Sequence, residues 1–325
     1  MSLSIEITSD LPVLAGSTIV GSVVCNFSKP TKVKAMQVLF HGDEKTEKIS
    51  EMKDLVSGSN ELVDIEKGLI DSETEVPSGT SKHIFKIEVP QRLPSSFKHY
   101  NGEIKYFLKA TIKRHLRVDM TATKVVELMA YVDLNTYLPA LQIKAEYSTD
   151  RLVSNCCGLS RGRILLTAVI SKRLFLKGET IFLDLNIVNL SGVRVKKVYS
   201  RIMKTVTIYF KNPYPNEEIY RDFLAKSGNF PGVKGYDEVS YNLFIKIPND
   251  IFIPNFRYSK LFKITHQLQI IAKMSGCHTA MVLQFKIYLG HIPVSSPGLQ
   301  LENRNWKGPY IRDPNTASAS SVGKS

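Results

Sequence analysis

Few residues in this chain have the type and spacing for chemistry. Cys156 and Cys157 are adjacent, and Cys277 is followed by His278. A vicinal thiol pair could serve disulfide exchange, and with Cys277 and His278 it could hold a metal. Metal sites, however, draw their ligands from CxxC or paired-histidine spacing, and the seven histidines (41, 83, 99, 115, 266, 278 and 291) form neither HxH nor HxxxH. His83 and His266 fall on the apolar parity of alternating segments, which predicts buried, hydrogen-bonded imidazoles. No nucleophile elbow, P-loop or GxGxxG fingerprint is expected to support catalysis. The expectation is therefore no catalytic residue, no cofactor and no resident metal.

The second group of interest is cationic. Arg194, Lys196, Lys197 and Arg201 surround Tyr199 in "VRVKKVYSR". The apolar parity Val198, Ile202, Val206, Ile208 predicts that Lys197, Tyr199 and Arg201 face outward, with Arg194 and Lys196 at the preceding turn. Clustered cations suit an acidic or phosphorylated partner, an anionic lipid surface or nucleic acid. A solvated basic surface is the plain alternative. Nucleic acid ranks last, because aromatics do not alternate with the cations as a stacking platform would require.

Charge is unevenly distributed. The formal net charge is +13, yet residues 1–139 carry 17 Lys and Arg against 18 Asp and Glu, leaving 26 against 12 for the remainder. The basic character belongs to the second half. No apolar run reaches the roughly 18 residues of a spanning helix and no secretory leader is evident, so a cytosolic chain is expected. Four cysteines agree with a reducing compartment. The sequons at Asn26 and Asn189 then read as turn-forming asparagines.

The elements that position these groups are written twice. "GSTIVGSVVCNFSKPTKVKA" (16–35) and "GETIFLDLNIVNLSGVRVKK" (178–197) align Gly16 with Gly178, Thr18 with Thr180, Ile19 with Ile181, Val23 with Leu185 and Cys25 with Ile187. The triplet Lys32-Val33-Lys34 then matches Arg194-Val195-Lys196. Further on, alternating segments stop at Pro90 and at Pro248, since proline cannot donate to a ladder. The cleanest alternation follows each stop: Ile104, Tyr106, Leu108, Ala110 and Ile112 in one copy, Phe262, Ile264, Leu268 and Ile270 in the other. "EEIYRDFLAKSG" from Glu217, with Ile219 and Phe223 four apart, predicts a helix of two or three turns. The whole predicts an all-β chain of two tandem antiparallel β-sandwiches: residues 1–139, residues 140–296, and a disordered tail over 297–325. Residues 131–150 read as the linker.

These motifs resemble the arrestin-domain proteins, and within them the alpha-arrestins. The resemblance covers about residues 5–294 and rests on "AGSTIVGSVV" with "GDEKT", "LPSSFKHYNGEIKYFLKATIKR", "DLN", "NCCGLSRGRILLTAVISKRLFLKGETI" and "IYLGHIPV". It implies arrestin-like N- and C-terminal immunoglobulin-like domains. It also implies a non-enzymatic adaptor, peripheral at the plasma membrane or endosomes, that binds cytoplasmic tails of membrane proteins and often recruits a ubiquitin ligase through Pro-Pro-x-Tyr. This chain has no Pro-Pro; Gly308-Pro309-Tyr310 and Pro213-Tyr214-Pro215 are the nearest remnants. Ligase recruitment is accordingly expected to be indirect. A membrane or scaffold module similar to the retromer cargo subunit, lying on anionic lipid, is the alternative.

Overall fold

A computed structural model describes residues 1–51, 53–115, 117–154 and 161–295. The first half forms β1 (Ser2–Ile7), β2 (Val13–Leu14), β3 (Thr18–Phe27), β4 (Thr31–Ile49), β5 (Leu55–Ile70), β6 (Thr74–Val76), β7 (Gly79–Glu88), β8 (Phe97–His99), β9 (Gly102–Arg114), β10 (Arg117–Val126) and β11 (Leu128–Met129). The second forms β12 (Ala145–Ser154), β13 (Arg161–Ile170), β14 (Leu174–Leu176), β15 (Thr180–Leu190), β16 (Val195–Phe210), β17 (Asn216–Lys226), β18 (Phe230–Pro231), β19 (Asp237–Lys246), β20 (Phe262–Met274) and β21 (Met281–Gly290). Between the halves lie two 3-10 turns, Leu134–Thr136 and Pro139–Gln142; the described residues include no α-helix.

Sheet β1-β3-β7 packs on β10-β9-β4-β5, and β12-β13-β15-β19 packs on β14-β21-β20-β16-β17. The long strands pair antiparallel, so period-two alternation gives each sheet a dry and a wet face. Ile104, Tyr106, Leu108, Ala110 and Ile112 are all buried in the first core. Leu268 and Ile270 lie in the second, whereas Phe262 of the same strand enters the first.

The repeat is real in three dimensions. Gly16 and Gly178 have φ of 87° and 81°, a left-handed turn in which a side chain is strained. Each turn is tied to the end of its proline-stopped strand. Val89 N–H donates to Ser17 O at 2.9 Å, and Ile247 N–H donates to Glu179 O at 2.9 Å. The register also slips at matching places, between Val33 and Ala35 in β4 and between Val195 and Lys197 in β16, making Lys34 and Lys196 equivalent bulge residues.

The structure corrects two expectations about the elements. The segment from Glu217 is strand β17, hydrogen-bonded to β16 from Phe210↔Asn216 onward. Its Ile219 and Phe223 are four apart, an even number, so they share a face in a strand just as they do in a helix; both are exposed. The linker is also shorter than residues 131–150, because β12 opens at Ala145 and pairs with β13 from Ala145↔Ile170. Residues 297–325 and the pair Cys156-Cys157 lie outside the described residues.

The halves share a core. Val206, Ile208, Phe210, Phe256, Leu261 and Phe262 of the second half pack with the first-half cluster, and Phe97 meets Phe256 and Phe262 edge-on at 4.9 and 5.5 Å. Polar ties surround that contact: Thr46 Oγ1 donates to Tyr209 O at 2.9 Å, Lys48 pairs with Glu218 at 2.5 Å, and Asn255 Nδ2 donates to Tyr131 O at 2.8 Å.

Candidate basic face

The inward row of β16 is Val198, Ile202, Val206 and Ile208, all buried as the alternation predicts. Lys197, Tyr199 and Arg201 therefore point away from the core, Lys196 is exposed at the bulge, and Arg194 is exposed one residue before the strand. The sequence-predicted cations do not form a single cluster. Lys197 and Arg201 are four residues apart along a strand, roughly 13 Å, so each takes its nearest neighbours from adjoining strands.

Those neighbours are more cations. Lys197 faces Lys273 on β20, and Arg201 faces Lys226 on β17. The same outward parity carries Lys263 on β20, Lys286 on β21 and Arg221 on β17, with Glu217 as the acid at the far corner. Two contacts link side chains across this surface. Arg201 Nε donates to Gln269 Oε1 at 2.8 Å, with Gln269 Nε2 donating in turn to Gln284 Oε1 at 3.0 Å. Lys226 Nζ sits 4.4 Å above the Tyr199 ring, a cation–π contact. Like charges directly opposite across strands destabilise a sheet, so Lys197/Lys273 and Arg201/Lys226 are unfavourable until an anion lies over them.

Sequence reasoning found one strand of this face and missed the rest. Lys273 and Lys286 each sit between buried residues, and Lys263 between buried Phe262 and half-buried Ile264, which was the available signal; what was missing was the knowledge that β21, β20, β16 and β17 are neighbours.

Beneath the face, His266 is buried with Nε2 unpartnered, against the expectation of a satisfied imidazole. Burial pushes its pKa down to about 4, and the charge of Lys204, its register partner, acts the same way. Asn189 has a structural role: buried, it donates to Val193 O and Lys234 O at 2.8 Å and shapes the turn before β16.

One pattern escaped the sequence reading. Gly158-Leu159-Ser160-Arg161-Gly162 has GxSxG spacing. A nucleophile elbow needs a helix after the serine, and here Arg161 opens strand β13, so the match lacks its structural context. Cys25 is buried and its thiol pKa is pushed up to about 11 by that burial, which leaves it unreactive.

The two tandem sandwiches share a core, and the second carries an open, charged sheet face. Residues 5–135 match the family described as Arrestin (or S-antigen), N-terminal domain, and residues 160–294 match Arrestin (or S-antigen), C-terminal domain. The chain belongs to the arrestin family. It is similar to mouse Thioredoxin-interacting protein, 28% identical over 178 residues, covering 51% of this chain and 44% of that protein. The human protein of that name is 26% identical over 186 residues, with the same coverage. Arrestin domain-containing protein 17 of Caenorhabditis elegans is 24% identical over 229 residues, 69% of this chain and 51% of that protein. The chain thus spans about half the length of the curated relatives it matches, which are alpha-arrestins. Among the described residues no helix is long and apolar enough to cross a membrane.

Proposed function

We propose that this chain is a cytosolic adaptor that binds acidic or phosphorylated cytoplasmic segments of membrane proteins for endocytosis, trafficking or ubiquitin-dependent sorting, using the outward face of β16, β17, β20 and β21. The division into units at 1–139 and 140–296 belongs to the same proposal. The supporting observation is the pair of like-charged cross-strand contacts, Lys197/Lys273 and Arg201/Lys226. Repulsion between like charges opposed across strands is relieved when an anion covers them, which suits the face to binding one. Ligase recruitment would be indirect, because the chain lacks Pro-Pro-x-Tyr.

Exposed Ile219, Phe223 and Val282 on the same face favour a second reading, a module lying on anionic membrane with apolar side chains in the headgroup layer. One experiment separates the two. The full chain is titrated with a labelled acidic phosphopeptide and its unphosphorylated form, and in parallel floated with phosphatidylserine vesicles. The adaptor reading predicts saturable, salt-sensitive peptide binding that strengthens with phosphorylation. Flotation without peptide binding would favour the membrane reading.

A further inference from the structure

The first sandwich carries a separate group of ligating side chains on the outward face of β4 and β5. His41 lies opposite Asp64, its register partner, with Nδ1 3.0 Å from Asp64 Oδ2. Asp43, two residues on, places Oδ2 3.9 Å from His41 Nε2. A third acid arrives through an irregularity. Gly42 faces Val63 and Asp43 faces Glu61, so Leu62 is an extra residue in β5. Val63 is buried in the first core and Leu62 packs against it. The bulge therefore sets acids 61 and 64 on one face, whereas an unbroken strand would put residues three apart on opposite faces. As a result, one ligand atom each from His41, Glu61 and Asp64 lies within 4.8 Å of the others.

The charge at this point is not balanced. Lys45 is taken by Asp43. Among the described residues Glu61 has no hydrogen bond or ion pair, and Asp64 has His41 and no Lys or Arg. Two carboxylates brought beside an imidazole without a cation are arranged for one. We propose that His41, Glu61 and Asp64 bind a divalent transition-metal ion of the zinc class. An imidazole with carboxylates suits zinc and its first-row neighbours, while calcium and magnesium take oxygen ligands.

Binding follows from the contacts already present. The ion takes the place of the proton between His41 Nδ1 and Asp64 Oδ2; a neutral imidazole carries a single N–H, which shifts to the other ring nitrogen, so the step needs no net proton release. His41 then holds its N–H on Nε2, the nitrogen facing Asp43, which gives the carboxylate–histidine–metal arrangement that fixes ring orientation in metal sites. The Phe107 ring, 5.2 Å from the imidazole, limits its swing. Exposed Glu61 and Asp64 are free to close on the ion, and water completes the shell.

The test is calorimetric titration of the full chain with zinc chloride in a chelator-free buffer, beside the variants His41→Ala, Glu61→Gln and Cys277→Ser. The site predicts saturable binding of one ion. It predicts at least about tenfold weaker binding in His41→Ala and Glu61→Gln, and no loss in Cys277→Ser. Glu61→Gln changes an exposed, unpaired side chain, so it reports on the site even if His41→Ala disturbs folding. Absence of saturable zinc binding by the native chain, or unchanged affinity in Glu61→Gln, would overturn the assignment.

Discussion

The carboxylate of Glu44, fully buried in the first half, accepts the backbone N–H of Lys260 in the second at 2.8 Å. The same carboxylate accepts the Ser259 hydroxyl and, at 3.0 Å, Asn60 Nδ2. One first-half side chain thereby closes the turn that starts β20. Removing it leaves several part-buried donors without this acceptor, and a donor that water cannot reach costs about 1–3 kcal/mol. Glu44→Ala should lower stability in urea unfolding by about 3 kcal/mol, and Glu44→Gln by less, because one acceptor oxygen remains. A Glu44→Ala protein as stable as the native chain would show that this contact does not hold the halves together.

His266 supplies a pH dependence whose sign is fixed. Its pKa falls from the ordinary 6.5 to about 4 on folding, through burial first and Lys204 second. Between those values the unfolded chain binds a proton that the folded chain does not. This stabilisation is complete above about pH 6.5 and is lost as pH falls toward 4, by up to about 3 kcal/mol. His83, His99 and His291 shift in the same direction, also through burial. His266→Leu should flatten the urea-midpoint profile between pH 7 and 4.5; an unchanged slope would contradict the account.

The paired turns predict paired effects. Gly16→Ala and Gly178→Ala each place a Cβ at positive φ, against Gln91 and Asn249 respectively, residues that each follow the stopping proline of their copy. Each substitution should cost about 1–2 kcal/mol, measured by thermal unfolding. A large loss at one glycine and none at the other would break the equivalence of the repeats.

The fold was legible because alternation needs only one strand at a time. Ile104 through Ile112 declare a buried face without reference to any partner, and Gly16 and Gly178 declare the same turn twice. Properties that depend on which strands are neighbours were hidden. Lys197 becomes half of a like-charged pair only when β20 brings up Lys273. His41 meets Asp64 across a strand boundary, and Glu61 joins them through a bulge, so a search for HxH or CxxC spacing passes over all three. Period and spacing also failed where two structures share them, as at Ile219 and Phe223.

A ligase-binding gain should be easy to build. Lys307→Pro with Gly308→Pro completes Pro-Pro-x-Tyr ending at Tyr310, and the double variant should capture WW domains that the native chain binds poorly. Equal capture by both would contradict indirect recruitment.

The basic face is tested most directly by changing Lys197, Arg201, Lys226 and Lys273 together to Ala and titrating a labelled acidic phosphopeptide at low and physiological salt. Exposed cations contribute little singly, about 0–1 kcal/mol, but four on one sheet face act on the same ligand. Affinity should fall at least about tenfold and lose most of its salt dependence, while the melting temperature holds or rises as the like-charged contacts disappear. Separate removal of Arg194 and Lys196 at the strand entry should have the smaller effect. Undiminished, salt-insensitive binding by the quadruple variant would contradict the claim that this face binds the anionic partner.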